Sequence, residues 1–468
     1  MKGIVVKIWT NVIQVKFEKS QQKPKVDQII LVGSENNVYM IKNIISEDEV
    51  RAILIKTSQR VFIGQVVLNT MKKLEVPVGK SSMNKVFDIL GNCLNDKSAK
   101  NLLKVEIDST ITKSKNLEIK NEILETGIKA IDFFIPILRG SKLGILGGAG
   151  VGKTVVMKEI IFNASKFKAP QAQKEKKNTS SIFIGSGERS REGLELYDEL
   201  KNSKLLDKTV MFISQMNEAP GARMSIVPVG ITAAEYLRDR EKENVLLFID
   251  NIYRFVQASS EVSATLGKKP SLGGYQPTLD TEVSFVHDRL FLNANGSITT
   301  FETVFLPMDD LTDPSAVSIF SHLDSSMVLS RDQAAKNIYP AFDPLASSSS
   351  SVNEKIIGTR HFQAILETKN ILQKYQELED IISILGFDEL EEDSKIIVKK
   401  AFQLQNFFTQ RFFTAENFTK EKGVYVPLNE TIESVIRILE GKYLKQSPEI
   451  FSFVGSNLNI PTDEELGL

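Results

Sequence analysis

KLGILGGAGVGKTVVMKEIIF, residues 142–162, decides how this chain is read. A strand-like run, KLGIL, leads straight into GGAGVGKT (147–154), which satisfies G-x-x-x-x-G-K-[ST] in full, and a helix-like segment follows at once. A glycine-rich turn between strand and helix is the setting in which this motif cradles phosphate. Glycines let backbone N–H groups curl around phosphate oxygens with no Cβ in the way. The start of the helix adds a dipole that favours an anion. Gly147, Gly148, Ala149, Gly150, Val151 and Gly152 form the expected cradle, and Val155 ends the nucleotide-contacting run. Lys153 would reach the β and γ phosphates, and the Thr154 hydroxyl would ligate Mg²⁺.

Outward from this loop the pattern repeats. SIFIGSG (181–187), TVMFISQ (209–215), NVLLFIDN (244–251) and SITTFETVF (297–305) are apolar runs separated by helical segments such as REGLELYDELKNS and AAEYLRDREKEN. Such alternation predicts an α/β domain with a mostly parallel sheet and helices on both faces. Before it, IVVKIW, VIQVKF, QIILVG, NVYMIKNI, RAILIK and QVVLN read as short strands, and a small β-barrel is their natural closure. After it, helical periodicity dominates. The expected division is therefore a β-barrel over 1–75, a nucleotide-binding P-loop domain over 76–350, and an α-helical C-terminal domain over 351–468. The polar stretch 166–180 reads as an inserted solvent loop, and ASSSSS (346–351) as a flexible boundary.

The bulk numbers narrow the function classes. A chain of 468 residues exceeds what one core supports. A net charge of −1 offers no basic excess for nucleic acid, so no nucleic-acid partner is expected. Cys93 is the single cysteine, and His287, His322 and His361 lie far apart in sequence, so no zinc-type ligand spacing can be drawn. A reducing compartment fits that cysteine usage. The N-terminus lacks the apolar core of a signal peptide. AIDFFIPIL (130–138) is short and contains Asp132, whereas a spanning helix needs about 20 apolar residues. Work at a membrane would depend on partner proteins, with a cytoplasmic, peripheral location.

GSGERSREG (185–193) crowds acids and bases onto a turn where a strand ends. Such a turn is commonly a solvated loop, but beside a phosphate cradle it gains a task. Hydrolysis of a nucleoside triphosphate needs a group to orient the attacking water and positive charge near the γ-phosphate. Glu188 is the candidate for the water, Arg189 for phosphate or for holding that carboxylate, and Glu192 for Mg²⁺ through a water. Asp250 closes the NVLLFID strand, where the Mg²⁺-binding acid of a phosphate-loop enzyme belongs, and Arg254 is a second candidate cation.

In order along the chain stand GGAGVGKT, GERSREG, MNEAPGAR (216–223), LLFIDNIYRF (246–255), SEVSATLG (260–267), GYQPTL (274–279), DDLTDPS (309–315), HLDSSMVLSR (322–331) and IYPAFDPL (338–345). Together they resemble the catalytic β subunit of F-type rotary ATPases, and the likeness covers nearly the whole chain. The resemblance implies ATP/ADP and Mg²⁺ as ligands and Glu188 as the catalytic glutamate. It gives Lys153, Thr154, Arg189, Asp250 and Arg254 phosphate and metal roles. It sets Tyr339 against adenine, with Phe412, Ala415 and Phe418 completing that pocket. It implies three such chains alternating with three α-type non-catalytic subunits around a γ-type shaft, with a possible membrane sector. The arginine finger would come from a neighbour. The α-type subunit lacks the glutamate that this chain keeps at position 188.

The acidic DELEEDS (388–394) stands where the family faces its shaft. Arg411 replaces a usual proline, and Pro228 lies in a stretch the family makes helical, where it should kink the helix or shift its start. These departures touch partner surfaces rather than the catalytic set. Alternative readings are an F-type-like motor not coupled to protons, as certain mycoplasmas carry, and a non-catalytic nucleotide-binding ring subunit. Secretion-type and RNA-translocating ATPases share the loop but fit GYQPTL, DDLTDP and IYPAFDPL poorly.

Overall fold

The computed structural model describes residues 1–18, 21–33, 37–99, 101–108, 121–166, 178–307 and 310–467. The chain divides into two compact units, Met1–Glu118 with Lys177–His322, and Ile119–Lys176 with Leu323–Leu468.

In the first unit, β1 (Lys2–Ile8), β2 (Val12–Phe17), β3 (Ile29–Val32), β4 (Val38–Ile44), β5 (Glu49–Lys56) and β6 (Val66–Asn69) close into a barrel in the order β1-β2-β5-β4-β3-β6. All six strands expected from the β-branched runs form. Val5, Ile13, Val15, Ile30, Val32, Ile41, Val50 and Val67 fill the interior, as the period-two alternation requires. Closure leaves no open sheet edge.

The same unit holds five parallel strands in the order Val86–Phe87, Thr209–Gln215, Thr179–Glu188, Asn244–Asp250, Ser297–Phe305. Their centres are buried almost throughout, the mark of parallel strands covered on both faces. Helix Pro220–Asp239 packs on four of these strands, and helix Ile252–Thr265 on helix Pro220–Asp239. The first of these helices runs through Pro228, so the proline does not displace its start. Pro220 begins it instead, at the position where a missing N–H costs nothing.

The second unit contains the strand Lys142–Gly147, which pairs in parallel with Ser325–Leu329. Ser348–Ser349 adds an antiparallel edge. The serine run is therefore not a flexible boundary. Its hydroxyls are structural partners: Ser325 donates to Ser349 at 2.8 Å, Ser326 and Ser348 pair at 2.9 Å, and Ser347 accepts the Val328 N–H at 2.9 Å. Most of the 166–180 stretch lies outside the described residues, and Thr179 already begins a strand.

Three long helices, Thr359–Leu385, Glu392–Phe407 and Leu428–Leu439, pack on one another. The buried helix Lys129–Phe134 ties into them. Its Lys129 is fully buried, and its Nζ donates to the carbonyls of Phe407 at 2.5 Å and Val454 at 2.6 Å. Burial pushes that amine down to about 7. Asp388, Glu389, Glu391, Glu392 and Asp393 are exposed around the start of the Glu392–Phe407 helix, where acids complement the helix dipole.

Candidate functional site

The phosphate loop lies in the second unit. Gly147, Gly150 and Gly152 adopt φ of 149°, 80° and 97°, which L-residues rarely reach. A Cβ on Gly147 would stand 2.6 Å from the carbonyl of Leu329, whereas Gly150 and Gly152 face open space. The loop is thus tight where it leaves the strand and open where it turns into the helix Lys153–Lys166. Lys153 folds back so that Nζ donates to the carbonyls of Gly147 at 2.6 Å and Gly148 at 2.5 Å. Val151 is buried, and Thr154 and Val155 are exposed at the first turn. This conformation fits a polyphosphate cradle: a concave, backbone-lined turn with a lysine at its lip.

The adenine-pocket candidates lie in the same unit. The carbonyl of Tyr339 accepts the Gln410 N–H at 2.9 Å, which joins the IYPAFDPL and QRFFTAENF segments. The Tyr339 ring is half exposed, Phe412 is buried and Ala415 is partly buried. Phe418 falls in the short helix Glu416–Thr419, and its side chain lies outside the described residues. Two residues that motif reading misses hold this segment against the loop's own helix. Glu159, fully buried, accepts the N–H groups of Phe413 at 3.1 Å and Thr414 at 3.0 Å and the Thr414 hydroxyl at 3.0 Å. Phe162 stacks on Phe413 with ring centroids 5.0 Å apart. The signal in the sequence is a lone acid inside the apolar run TVVMKEIIF, since a buried carboxylate needs donors.

The carboxylates lie in the first unit. A register shift between Ser186 and Glu188 bulges the end of the Thr179–Glu188 strand against its neighbour. Gly187, at φ 65°, makes that bulge, and bulges of this kind re-aim the side chain that follows. Glu188 is left buried, with only 6% of its surface exposed. Burial pushes its carboxyl up to about 9, helped by the nearby charge of Asp250 and a hydrogen bond with Glu192, while Arg254 pulls the other way. Asp250 ends the adjacent parallel strand, is buried, and accepts the Thr303 hydroxyl at 2.5 Å. Asn251 caps the next helix by accepting from Tyr253 N at 3.0 Å and also accepts from Phe305 N at 3.3 Å. Arg254 donates to the carbonyl of Gly187.

Glu188, Asp250, Glu192 and Arg254 thus form one electrostatic cluster. Arg189 stands apart: its side chain is 69% exposed and approaches Glu192 at 3.7 Å. The three histidines serve packing. His287 bonds Glu302 at 3.0 Å and stacks on His322, and buried His361 bonds the Phe133 carbonyl at 2.9 Å. Among the described residues no three His, Cys, Asp or Glu side chains gather to hold a metal by themselves, and no helix is long and apolar enough to cross a membrane. Magnesium characteristically takes one or two carboxylates together with substrate phosphates, and the Asp250 carboxylate fits that mode.

Residues 127–349 match the nucleotide-binding domain of the ATP synthase alpha/beta family, and residues 350–447 match the C-terminal domain of V and A type ATP synthase. The chain is 48% identical over 456 residues to ATP synthase subunit beta 2 of Mycoplasmopsis pulmonis, covering 97% of this chain and 96% of the relative. The chain belongs to the ATP synthase alpha/beta family, as a beta-type subunit.

Proposed function

We propose that this chain is the catalytic subunit of a hetero-hexameric rotary ATPase, hydrolysing or synthesising ATP with Mg²⁺. The observation that carries the reading is Glu188, a buried carboxyl on a bulged strand end, grouped with Asp250 and Arg254. The α-type subunit of such assemblies lacks this glutamate. In this reading the phosphate loop holds the triphosphate, and Glu188 orients and deprotonates the attacking water. Lys153 leaves the loop carbonyls for the β and γ oxygens, and Arg189 and Arg254 face the transferred phosphoryl group. Thr154 and Asp250 would hold Mg²⁺, with Glu192 reaching it through water. Bound there, the ion neutralises charge on the phosphates. Tyr339, Phe412, Ala415 and Phe418 take the adenine.

The assembly would be three such chains alternating with three α-type subunits around a γ-type shaft, peripheral to the cytoplasmic face of the membrane through partner subunits. Each nucleotide state would favour its own posture of the C-terminal helices, so turnover moves them against the shaft. Arg411 favours a second reading, a motor not coupled to protons. It stands in place of a proline and pairs with Glu421 at 2.6 Å, which alters a surface near the adenine segment.

Glu188→Gln in the intact assembly tests the catalytic role. ATP binding should survive while turnover falls by orders of magnitude, and unchanged turnover refutes the assignment. Copurification with a membrane sector supports proton coupling, and a different partner set supports the second reading.

A further inference from the structure

MNEAPGAR (216–223) and SEVSATLG (260–267) meet in an ion pair. Arg223, in the first turn of helix Pro220–Asp239, donates from its two terminal nitrogens to the Glu261 carboxylate of helix Ile252–Thr265, at 2.5 Å and 3.4 Å. Its Nε donates to the carbonyl of Glu218 at 3.2 Å. All three guanidinium nitrogens are thus engaged. The Arg223 side chain is only 12% exposed, so the pair is shielded more than a surface one.

Each residue of the bulge is tied to this brace. The fully buried Ser186 donates its hydroxyl to the Arg223 carbonyl at 3.0 Å. A Cβ added to Gly187 would stand 3.2 Å from Cδ of Arg254 and 3.4 Å from Cδ of Arg223. Two arginine stems therefore wall the side toward which a residue at 187 would project. The carbonyl of Glu188 accepts the Met216 N–H at 2.9 Å, and Met216 belongs to the same loop as the Glu218 carbonyl that Arg223 holds. Arg254 and Glu261 stand two turns apart on one face of one helix. The Arg223–Glu261 pair consequently fixes the helix from which Arg254 reaches Gly187. Beyond burial, the charges that act on the Glu188 carboxyl are those of Asp250, Arg254 and Glu192. The charge of Arg223 is met by Glu261.

We propose that Arg223, through its pair with Glu261, is a positioning residue for Glu188: it holds the bulge at Ser186 and Gly187 and so sets where the carboxyl points, without meeting the nucleotide itself. This rests on the reading in which Glu188 handles the attacking water.

The test uses the assembled ATPase and three variants measured beside Glu188→Gln. Arg223→Met keeps an unbranched stem against Gly187 and removes the fork. Glu261→Gln removes the charge at the other end. Arg223→Lys keeps the charge but not the fork. A small misplacement of a reacting group can cost about 10²-fold, so Arg223→Met should lower kcat by about 10- to 10²-fold. ATP affinity should stay near that of wild type, because the phosphate loop is untouched. Glu261→Gln should act in the same direction more weakly, and adding it to Arg223→Met should cost little more, since both break one pair. Arg223→Lys should recover part of the rate. A loosened bulge also lets water reach the Glu188 carboxyl, which burial holds up at about 9, so the rise of kcat with pH should move toward lower pH. A residue that only supports the fold would lower the melting temperature and leave the pH profile where it was. Wild-type kcat in both Arg223→Met and Glu261→Gln, beside a collapsed Glu188→Gln, overturns the positioning role alone. So does an equal loss of kcat and ATP affinity, or an unmoved pH profile. Unchanged turnover in Glu188→Gln overturns the underlying reading and this inference with it. If Arg223→Met does not assemble, Glu261→Gln, whose side chain is partly exposed, decides by itself.

Discussion

The guanidinium of Arg254 donates to the carbonyl of Gly187, the residue whose positive φ turns the chain into Glu188. A side chain at the start of one helix therefore holds the bulge that aims a carboxylate from another strand. The same charge lowers the pKa of Glu188 against the burial that raises it. Arg254→Ala should loosen the bulge and remove a cation near the reacting group. Loss of such a donor typically costs about 10²–10³ in turnover. Arg254→Lys keeps charge but not the planar fork and should recover only part of it. Steady-state rates of the assembled variants decide, and wild-type turnover by the alanine variant defeats the assignment.

Glu188 also gives a pH prediction with a definite sign. Its carboxyl is raised from 4.5 to about 9, so the folded chain holds a proton that the unfolded chain releases. The stability this contributes is fully present below about pH 4.5 and is lost as pH rises through about 9. The nucleotide-free protein should melt at progressively lower temperature across that window, and Glu188→Gln should flatten the curve. Turnover should run the opposite way, since only the ionised carboxylate accepts a proton from water. A melting curve whose slope is identical in wild type and Glu188→Gln contradicts this reading.

The candidate carriers of this chemistry stand out in the sequence because each sits at a junction the periodicity marks. Gly147 to Thr154 follow a strand and open a helix, and Asp250 closes an apolar run. How the chain turns at those junctions is not legible. Nothing in GSGERS reveals that Gly187 bulges, because a bulge is a mismatch of register with a neighbouring strand remote in sequence. The serines at 346–351 read as a spacer because their value lies in hydroxyl pairs with Ser325 and Ser326, which periodicity does not register. Arg189 reads as a phosphate ligand by type and position. Its exposed pairing with Glu192 depends on how the following helix leaves the turn.

Gly147 and Gly150 should respond differently to the same change. Alanine at 147 would bring a Cβ to 2.6 Å from the Leu329 carbonyl and 2.8 Å from Val151, so the loop must shift. Alanine at 150 meets open space and bears only the strain of its φ, about 1–2 kcal/mol. Gly147→Ala should lower the melting temperature and abolish nucleotide binding, while Gly150→Ala should retain fold with weakened binding. Thermal melts and fluorescent nucleotide titration check both, and equal effects at the two positions would sink the distinction.

Glu159 offers the sharpest test of the adenine side. Its buried carboxylate receives three donors, two backbone N–H groups and one hydroxyl, all from Phe413 and Thr414. Burial raises its pKa, while those three bonds oppose the rise. The same helix begins at Lys153, so Glu159 couples the phosphate loop to the segment bearing Phe412 and Ala415. Glu159→Ala would strand these donors at about 1–3 kcal/mol each. Glu159→Gln keeps one accepting oxygen and should be milder. Because the loop itself is untouched, the alanine variant should lose affinity for ATP while inorganic triphosphate binding changes little. If both ligands weaken equally, Glu159 supports the fold as a whole and not the proposed base-binding segment.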